Sequence, residues 1–102
     1  MASGSLPRST GNFQLIGYMG GSTAGTYTLQ LPIKGLMYVI FVWKSSTAAA
    51  DKLGLYFAMK TGSAAVVTPV AACSDVTLTV DSTGVLTMTT TSTYMNARVY
   101  NV

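Results

Sequence analysis

Apolar and polar positions alternate along much of this chain with the two-residue period of β-strands, and one stretch breaks the alternation with an unbroken apolar run. That run is Leu36-Met-Tyr-Val-Ile-Phe-Val-Trp43, set between Gly35 and Lys44-Ser-Ser-Thr47. It is far shorter than the roughly 20 residues that cross a bilayer as a helix. Its β-branched and aromatic makeup favours a strand over a short buried helix. A strand that is apolar on both faces has to be covered on both. The run is therefore expected at the centre of a sheet, with protein above and below it.

The remaining strands follow from alternation and turn chemistry. Phe13 to Met19 is a first candidate, with Gly17 at a bulge or close approach, and Gly20-Gly-Ser-Thr-Ala-Gly25 is a loop. Thr26 to Leu31 alternates cleanly, placing Tyr27, Leu29 and Leu31 on one face. After the central run, Ala48-Ala-Ala-Asp51 has the length of a single helical turn. Leu53 to Lys60 alternates again, predicting Leu53, Leu55, Phe57 and Met59 inward and Gly54, Tyr56, Ala58 and Lys60 outward. Ala64 to Cys73 is apolar but carries Pro69, the mark of an irregular or edge strand.

Val76 to Val80, Val85 to Thr91 and Tyr94 to Val102 read as a closing three-strand meander. Its first turn is Asp81-Ser-Thr-Gly84, with Asp at the first and Gly at the fourth position, as a type I turn prefers. About eight strands with turn signals at short intervals predict an all-β fold: an antiparallel β-sandwich or flattened barrel over residues 13–102. Residues 1–12, rich in Ser and Gly, read as a flexible leader or linker.

Composition adds a statement about the surface. The chain has 102 residues, 49% of them hydrophobic and 9% charged, with a mean hydropathy of +0.42. Ser and Thr supply most of the polar surface, and so little charge favours self-association or attachment to a larger assembly. The net charge of +3 comes from Arg8, Lys34, Lys44, Lys52, Lys60 and Arg98, no two of them adjacent. Such dispersed cations make no phosphate-tracking stripe, so no nucleic-acid partner is expected. The amino terminus lacks the charged start and long apolar run of a signal peptide, and no segment is expected to insert in a membrane.

Candidate chemistry is sparse. There is no histidine and no glutamate, which excludes a Ser–His–Asp or Cys–His arrangement and any imidazole metal site. Cys73 is the single cysteine, so an intrachain disulfide is impossible, and its apolar surroundings suit a small buried side chain. Asp51, Asp75 and Asp81 fall in expected loops or turns, where aspartate usually caps the backbone. Asp81-Ser-Thr-Gly84 resembles the Asp-Thr-Gly signature of aspartic proteases, but its glycine stands three residues after the aspartate rather than two. The glycine patch Gly17, Gly20, Gly21 and Gly25 precedes no helix whose amino terminus would hold a phosphate. No catalytic residue, metal ligand or cofactor is expected.

The aromatic residues are the candidates for contact. Tyr18, Tyr56, Tyr94 and Tyr100 are expected on the outer face, as rigid amphipathic rings suited to sugar stacking or protein contact. Phe13, Tyr27, Phe41 and Phe57 are expected inward. Trp43, at the end of the central run, is expected mainly to pack in the core and is kept as a contact candidate.

Several of these stretches together resemble a known class. They are Gly25-Thr-Tyr-Thr-Leu-Gln-Leu-Pro32, Lys34-Gly-Leu-Met-Tyr-Val-Ile40, Val76-Thr-Leu-Thr-Val80 and the Thr-rich segment from Val85 to Tyr100. In their Thr, Ser and Gly content and shortage of charge they resemble bacteriophage tail-fibre or receptor-binding tip domains. The resemblance implies a homotrimer on the virion that meets other virion proteins and touches a bacterial surface glycan or protein. It thus implies a virion or extracellular location, and the lack of a catalytic residue set makes the expected protein non-catalytic. The alternative from the residues themselves is a monomeric carbohydrate-binding or adhesion module with its tyrosines lining one patch.

Overall fold

The computed structural model describes residues 13–32 and 36–102. The leader expected over residues 1–12 lies outside the described residues. Eight strands form: β1 (Gln14–Gly20), β2 (Gly25–Gln30), β3 (Leu36–Lys44), β4 (Leu53–Lys60), β5 (Ala65–Ala71), β6 (Val76–Val80), β7 (Val85–Thr90) and β8 (Met95–Asn101). They make a five-stranded sheet, β1-β8-β3-β4-β5, and a three-stranded sheet, β2-β7-β6, in which every neighbouring pair is antiparallel. The all-β sandwich expected from the alternation is what forms, as two open sheets that do not close into a barrel.

The apolar run is the middle strand, β3, as its composition predicts. Tyr38, Ile40 and Val42 point between the sheets and are buried, joined by Ala97 and Val99 of β8 and Tyr56 and Ala58 of β4. Leu86 and Met88 of β7, with Leu31 just past β2, close this core from the smaller sheet. Leu31 is held there by its N–H, which donates to the Gly84 carbonyl at 2.8 Å. The tight turn from Asp81 forms as expected, with the Gly84 N–H donating to the Asp81 carbonyl at 2.9 Å. Gly84 has a φ of +87°, a conformation open to glycine and costly for other residues.

Four expectations need correction. First, β3 is covered on one face only. Met37, Phe41 and Trp43 alternate with the buried set and face away from the second sheet, with Met37 43% and Phe41 40% exposed.

Second, β4 is turned over. Tyr38 pairs with Ala58 and Ile40 with Tyr56, so the even-numbered residues of β4 face the core, and Leu53, Leu55, Phe57 and Met59 face outward. A shift of one residue exchanges the faces of a whole strand, and a strand with bulk on both sides does not announce which side is inward. Phe13 and Phe41 likewise face out.

Third, the closing meander splits. β6 and β7 pair, but β8 crosses to the larger sheet and inserts between β1 and β3. The redirection happens at Tyr94, which lies before β8 with a φ of +60°. Its carbonyl accepts from the Ser45 N–H at 2.9 Å, tying the crossing to the end of β3. Fourth, Trp43 is half-buried on the outer face rather than packed in the core.

The edge features are as expected. β5 is an edge strand, and its pairing with β4 slips next to Pro69, which cannot donate to a ladder. On β1, the opposite edge, the register shifts between Leu15 and Gly17. A single short 3-10 turn, Ala50–Lys52, occupies the loop where one helical turn was expected. Among the described residues no helix is long and apolar enough to cross a membrane.

Candidate functional site

The two sheets present opposite kinds of surface. On the three-stranded sheet, Thr26, Thr89 and Thr77 stand side by side across β2, β7 and β6, and Thr28, Thr87 and Thr79 form the next row. These β-branched hydroxyls suit a pleated surface in water.

On the five-stranded sheet the outward residues are apolar nearly throughout: Leu15 of β1, Met37 and Phe41 of β3, Leu53 and Met59 of β4, and Val66 of β5 are all exposed by 40% or more. Strands of seven to nine residues at the usual spacing give a face of roughly 20 by 23 Å. An area of that order matches the largest apolar patch of a typical monomer, and patches of that size are often functional.

Aromatic contacts organise this face. The Tyr100 ring lies between Phe13, stacked at 5.7 Å and 30°, and Phe41, edge-on at 5.7 Å and 78°. Both geometries are favourable for ring pairs. Val39 sits in the same row, paired with Phe57 on one side and Tyr100 on the other, and this side cover leaves it only 6% exposed. A shallow apolar groove of about 140 Å³ runs between Met37, Met59 and Val66.

At the other end of the face the character changes. There Tyr18, Gly20, Trp43, Asn96 and Arg98 line an open cleft of about 310 Å³. Three strands bring them together: Tyr18 pairs with Arg98 across β1 and β8, and Asn96 pairs with Trp43 across β8 and β3. The Arg98 guanidinium lies 5.7 Å from the centre of the Trp43 ring, within cation–π range. Asn96 Nδ2 donates to the Tyr94 carbonyl at 2.9 Å, which holds its amide in place. Gly20 is required at the cleft floor because it has a φ of +110° and an added Cβ would stand 2.1 Å from the Met95 carbonyl oxygen.

Four charges elsewhere, Lys52, Asp75, Lys44 and Asp81, have partners. Lys52 pairs with Asp75, and the hydrogen bond from Lys52 holds the Asp75 carboxyl below the usual carboxylate range. The same hydrogen bond raises the Lys52 pKa. Lys44 donates to Ser92 Oγ at 2.6 Å and to the Thr93 carbonyl. The Asp81 carboxylate accepts from the Thr83 hydroxyl at 2.6 Å and from the Val85 N–H at 3.0 Å, bonds that keep its pKa low. Among the described residues no three His, Cys, Asp or Glu side chains gather as metal ligands would.

Of the five contact candidates, Tyr18 and Trp43 meet at the cleft, and Tyr18 is 71% exposed. Tyr100 belongs to the aromatic row, and Tyr94 lies in the turn before β8, 46% exposed. Tyr56 is not on the outer face: it is 4% exposed and its hydroxyl accepts from the Cys73 N–H at 2.9 Å. Sequence reasoning passed over Asn96 and Arg98 as ordinary surface residues. The two-residue spacing of Asn96, Arg98 and Tyr100 was the available sign that they share a face with one another.

No family model matches the chain, and no curated protein matches it. Among solved structures it is similar to the tailspike protein of Acinetobacter phage vB_ApiP_P1, with 14% identity and a TM-score of 0.46. That match covers 100% of this chain and 23% of the tailspike chain, so the chain spans about a quarter of that protein's length.

Proposed function

We propose that this chain is a non-catalytic structural and receptor-binding module of a phage particle, with residues 13–102 as one β-sandwich domain and residues 1–12 as its leader. In this reading it works as a homotrimer, meets other virion proteins, and attaches the particle to a bacterial surface glycan or protein. The observation that carries the reading is the bare outer face of the five-stranded sheet. A surface apolar on β1, β3, β4 and β5 and aromatic at Tyr100 of β8, backed by a sheet whose own outer face is threonine, fits a protein that meets other protein on one side and water on the other. The threefold count rests on the resemblance of the Thr- and Ser-rich strands to tail-fibre tips.

Light scattering on a sizing column tests the assembly. The expected mass is three times the 10.7 kDa of one chain. A monomer that persists at high protein concentration overturns the reading. In that case the second reading, a monomeric carbohydrate-binding module, has the cleft of Tyr18 and Trp43 in its favour.

A further inference from the structure

We infer that the cleft between Tyr18 and Trp43 binds a saccharide carrying a carboxylate, with Arg98 as the residue that selects for the charge. The inference goes beyond the assembly reading and stands whether the chain works as one copy or three. The cleft opens at the strand ends that carry Gly20, Trp43 and Asn96. Leu15 of β1 and Met37 of β3 lie toward the opposite ends of those strands, with Phe13 just before β1 and Met59 paired with Met37 on β4. Leu53 stands beside Trp43, so it is assembly through Phe13, Leu15, Met37 and Met59 that leaves the cleft free.

Charge supplies the first argument. The chain has three acidic side chains, Asp51, Asp75 and Asp81. Asp75 is taken by Lys52, Asp81 is bonded within its own turn, and Asp51 stands on the 3-10 turn. None of them lines the cleft. Arg98 is exposed, and its planar guanidinium lies near the Trp43 ring with no carboxylate side chain to meet. A guanidinium offers a rigid fork of donors that matches a carboxylate two bonds at a time.

Shape supplies the second argument. The cleft is open rather than enclosed, and one of its walls is Tyr18, 71% exposed. A flat aromatic surface with a hydroxyl at its rim suits the face of a sugar ring. The Asn96 amide oxygen has no partner among the described residues and is available to a sugar hydroxyl. An acidic peptide, by contrast, is recognised by clusters of arginine, and this cleft holds a single arginine among aromatic and amide groups.

Trp43 is the single tryptophan of the chain, so its emission reports occupancy of the cleft directly. Titrating the full chain with an oligogalacturonate is expected to quench or shift that emission along a saturating curve. The methyl ester of the same oligosaccharide is expected to bind roughly tenfold or more weakly, because it keeps the rings and loses the charge. Arg98→Gln should lose the preference for the acid over the ester. Arg98→Lys should recover part of it, since an ammonium is a point charge without the fork. Tyr18→Ala should weaken acid and ester alike. All three substitutions are at exposed positions, and circular dichroism checks that the fold is kept.

Midpoints, not amplitudes, are compared, because changing Arg98 alters the resting emission of Trp43. No response to the oligogalacturonate overturns the inference. Equal binding of acid and ester overturns it in favour of a neutral-sugar site. Equal binding of hexaglutamate overturns it in favour of an acidic peptide or a general anion. A monomeric mass alongside selective uronate binding would defeat the trimer and leave the cleft assignment standing.

Discussion

The backbone N–H of Cys73 donates to the Tyr56 hydroxyl at 2.9 Å in the interior of the sandwich. Tyr56 lies on β4 of the larger sheet, and Cys73 lies in the connection from β5 to β6 of the smaller one. The bond fixes the crossing between sheets at a point where water does not reach, since Tyr56 is 4% and Cys73 2% exposed. Removing the hydroxyl strands a buried amide donor. Tyr56→Phe is expected to cost about 1–3 kcal/mol in chemical denaturation. Tyr18→Phe, on an exposed ring, should leave stability unchanged, and equal effects at the two positions would contradict the burial of Tyr56.

Glycine is required at Gly20 for a reason absent at Gly62. Gly20 combines a φ of +110° with a Cβ position 2.1 Å from the Met95 carbonyl oxygen, a backbone atom with little room to move. Gly62 has open space around its Cβ position. Gly20→Ala should therefore destabilise the fold by about 2–4 kcal/mol. Gly62→Ala should range from neutral to about 1 kcal/mol more stable, through the lower entropy of the unfolded chain. Thermal melts of the two variants side by side decide the matter.

The Asp81 turn gives a pH dependence of known sign. Its carboxylate is held below the usual range first by the Thr83 hydroxyl and then by the Val85 N–H. A group whose folded pKa is depressed adds stability that is complete above its unfolded value, about 3.9. That stability is lost as pH falls through the lower folded value. Asp81→Asn keeps an acceptor and removes the titration. The stability gap between the natural chain and this variant should be constant from about pH 7 to 5 and close below about pH 4. Asp75 titrates in the same acid range through its bond to Lys52, so both proteins still weaken in acid. It is the gap between them that isolates Asp81, and a gap that persists at the lowest pH would contradict its origin in charge.

How much of this was legible in the chain depends on whether the deciding contacts are local. β3 could be recognised as a strand because its eight consecutive apolar residues are largely β-branched and aromatic in makeup, although only one of its faces is covered. The β6–β7 turn could be recognised because Asp81 and Gly84 are four-residue chemistry. The facing of β4 could not. Leu53, Leu55, Phe57 and Met59 read as the buried side by every local rule, and yet they lie outward because Tyr38 and Ile40 pair with Ala58 and Tyr56.

Lys60 shows the same limit most sharply. It is a lysine only 4% exposed, whose ammonium finds the Thr61 carbonyl at 2.7 Å. The departure of β8 from the expected meander depends on the left-handed backbone at Tyr94, a conformation tyrosine seldom signals. The cleft was half visible for a related reason. Single aromatic residues stand out in a sequence, whereas Arg98 acquires meaning from Trp43 and Tyr18, which come from other strands.

Met37 and Met59 face each other across β3 and β4 on the bare face, 43% and 47% exposed, and this pair separates assembly from folding. Placing glutamate at one and lysine at the other, as Met37→Glu with Met59→Lys, keeps a favourable cross-strand pair within the sheet. The same exchange puts two charges where a second copy would pack, and desolvating charges at the centre of an interface is costly. The monomer fold should change by no more than about 1 kcal/mol, as exposed positions usually do, while the assembly falls to single chains in light scattering. The matching exchange on the other sheet, Thr28→Glu with Thr87→Lys, uses a pair equally in register and should leave the mass untouched. Dissociation by the threonine pair, or an unchanged mass with the methionine pair, would move the contact surface away from the five-stranded sheet and remove the main support for a particle component.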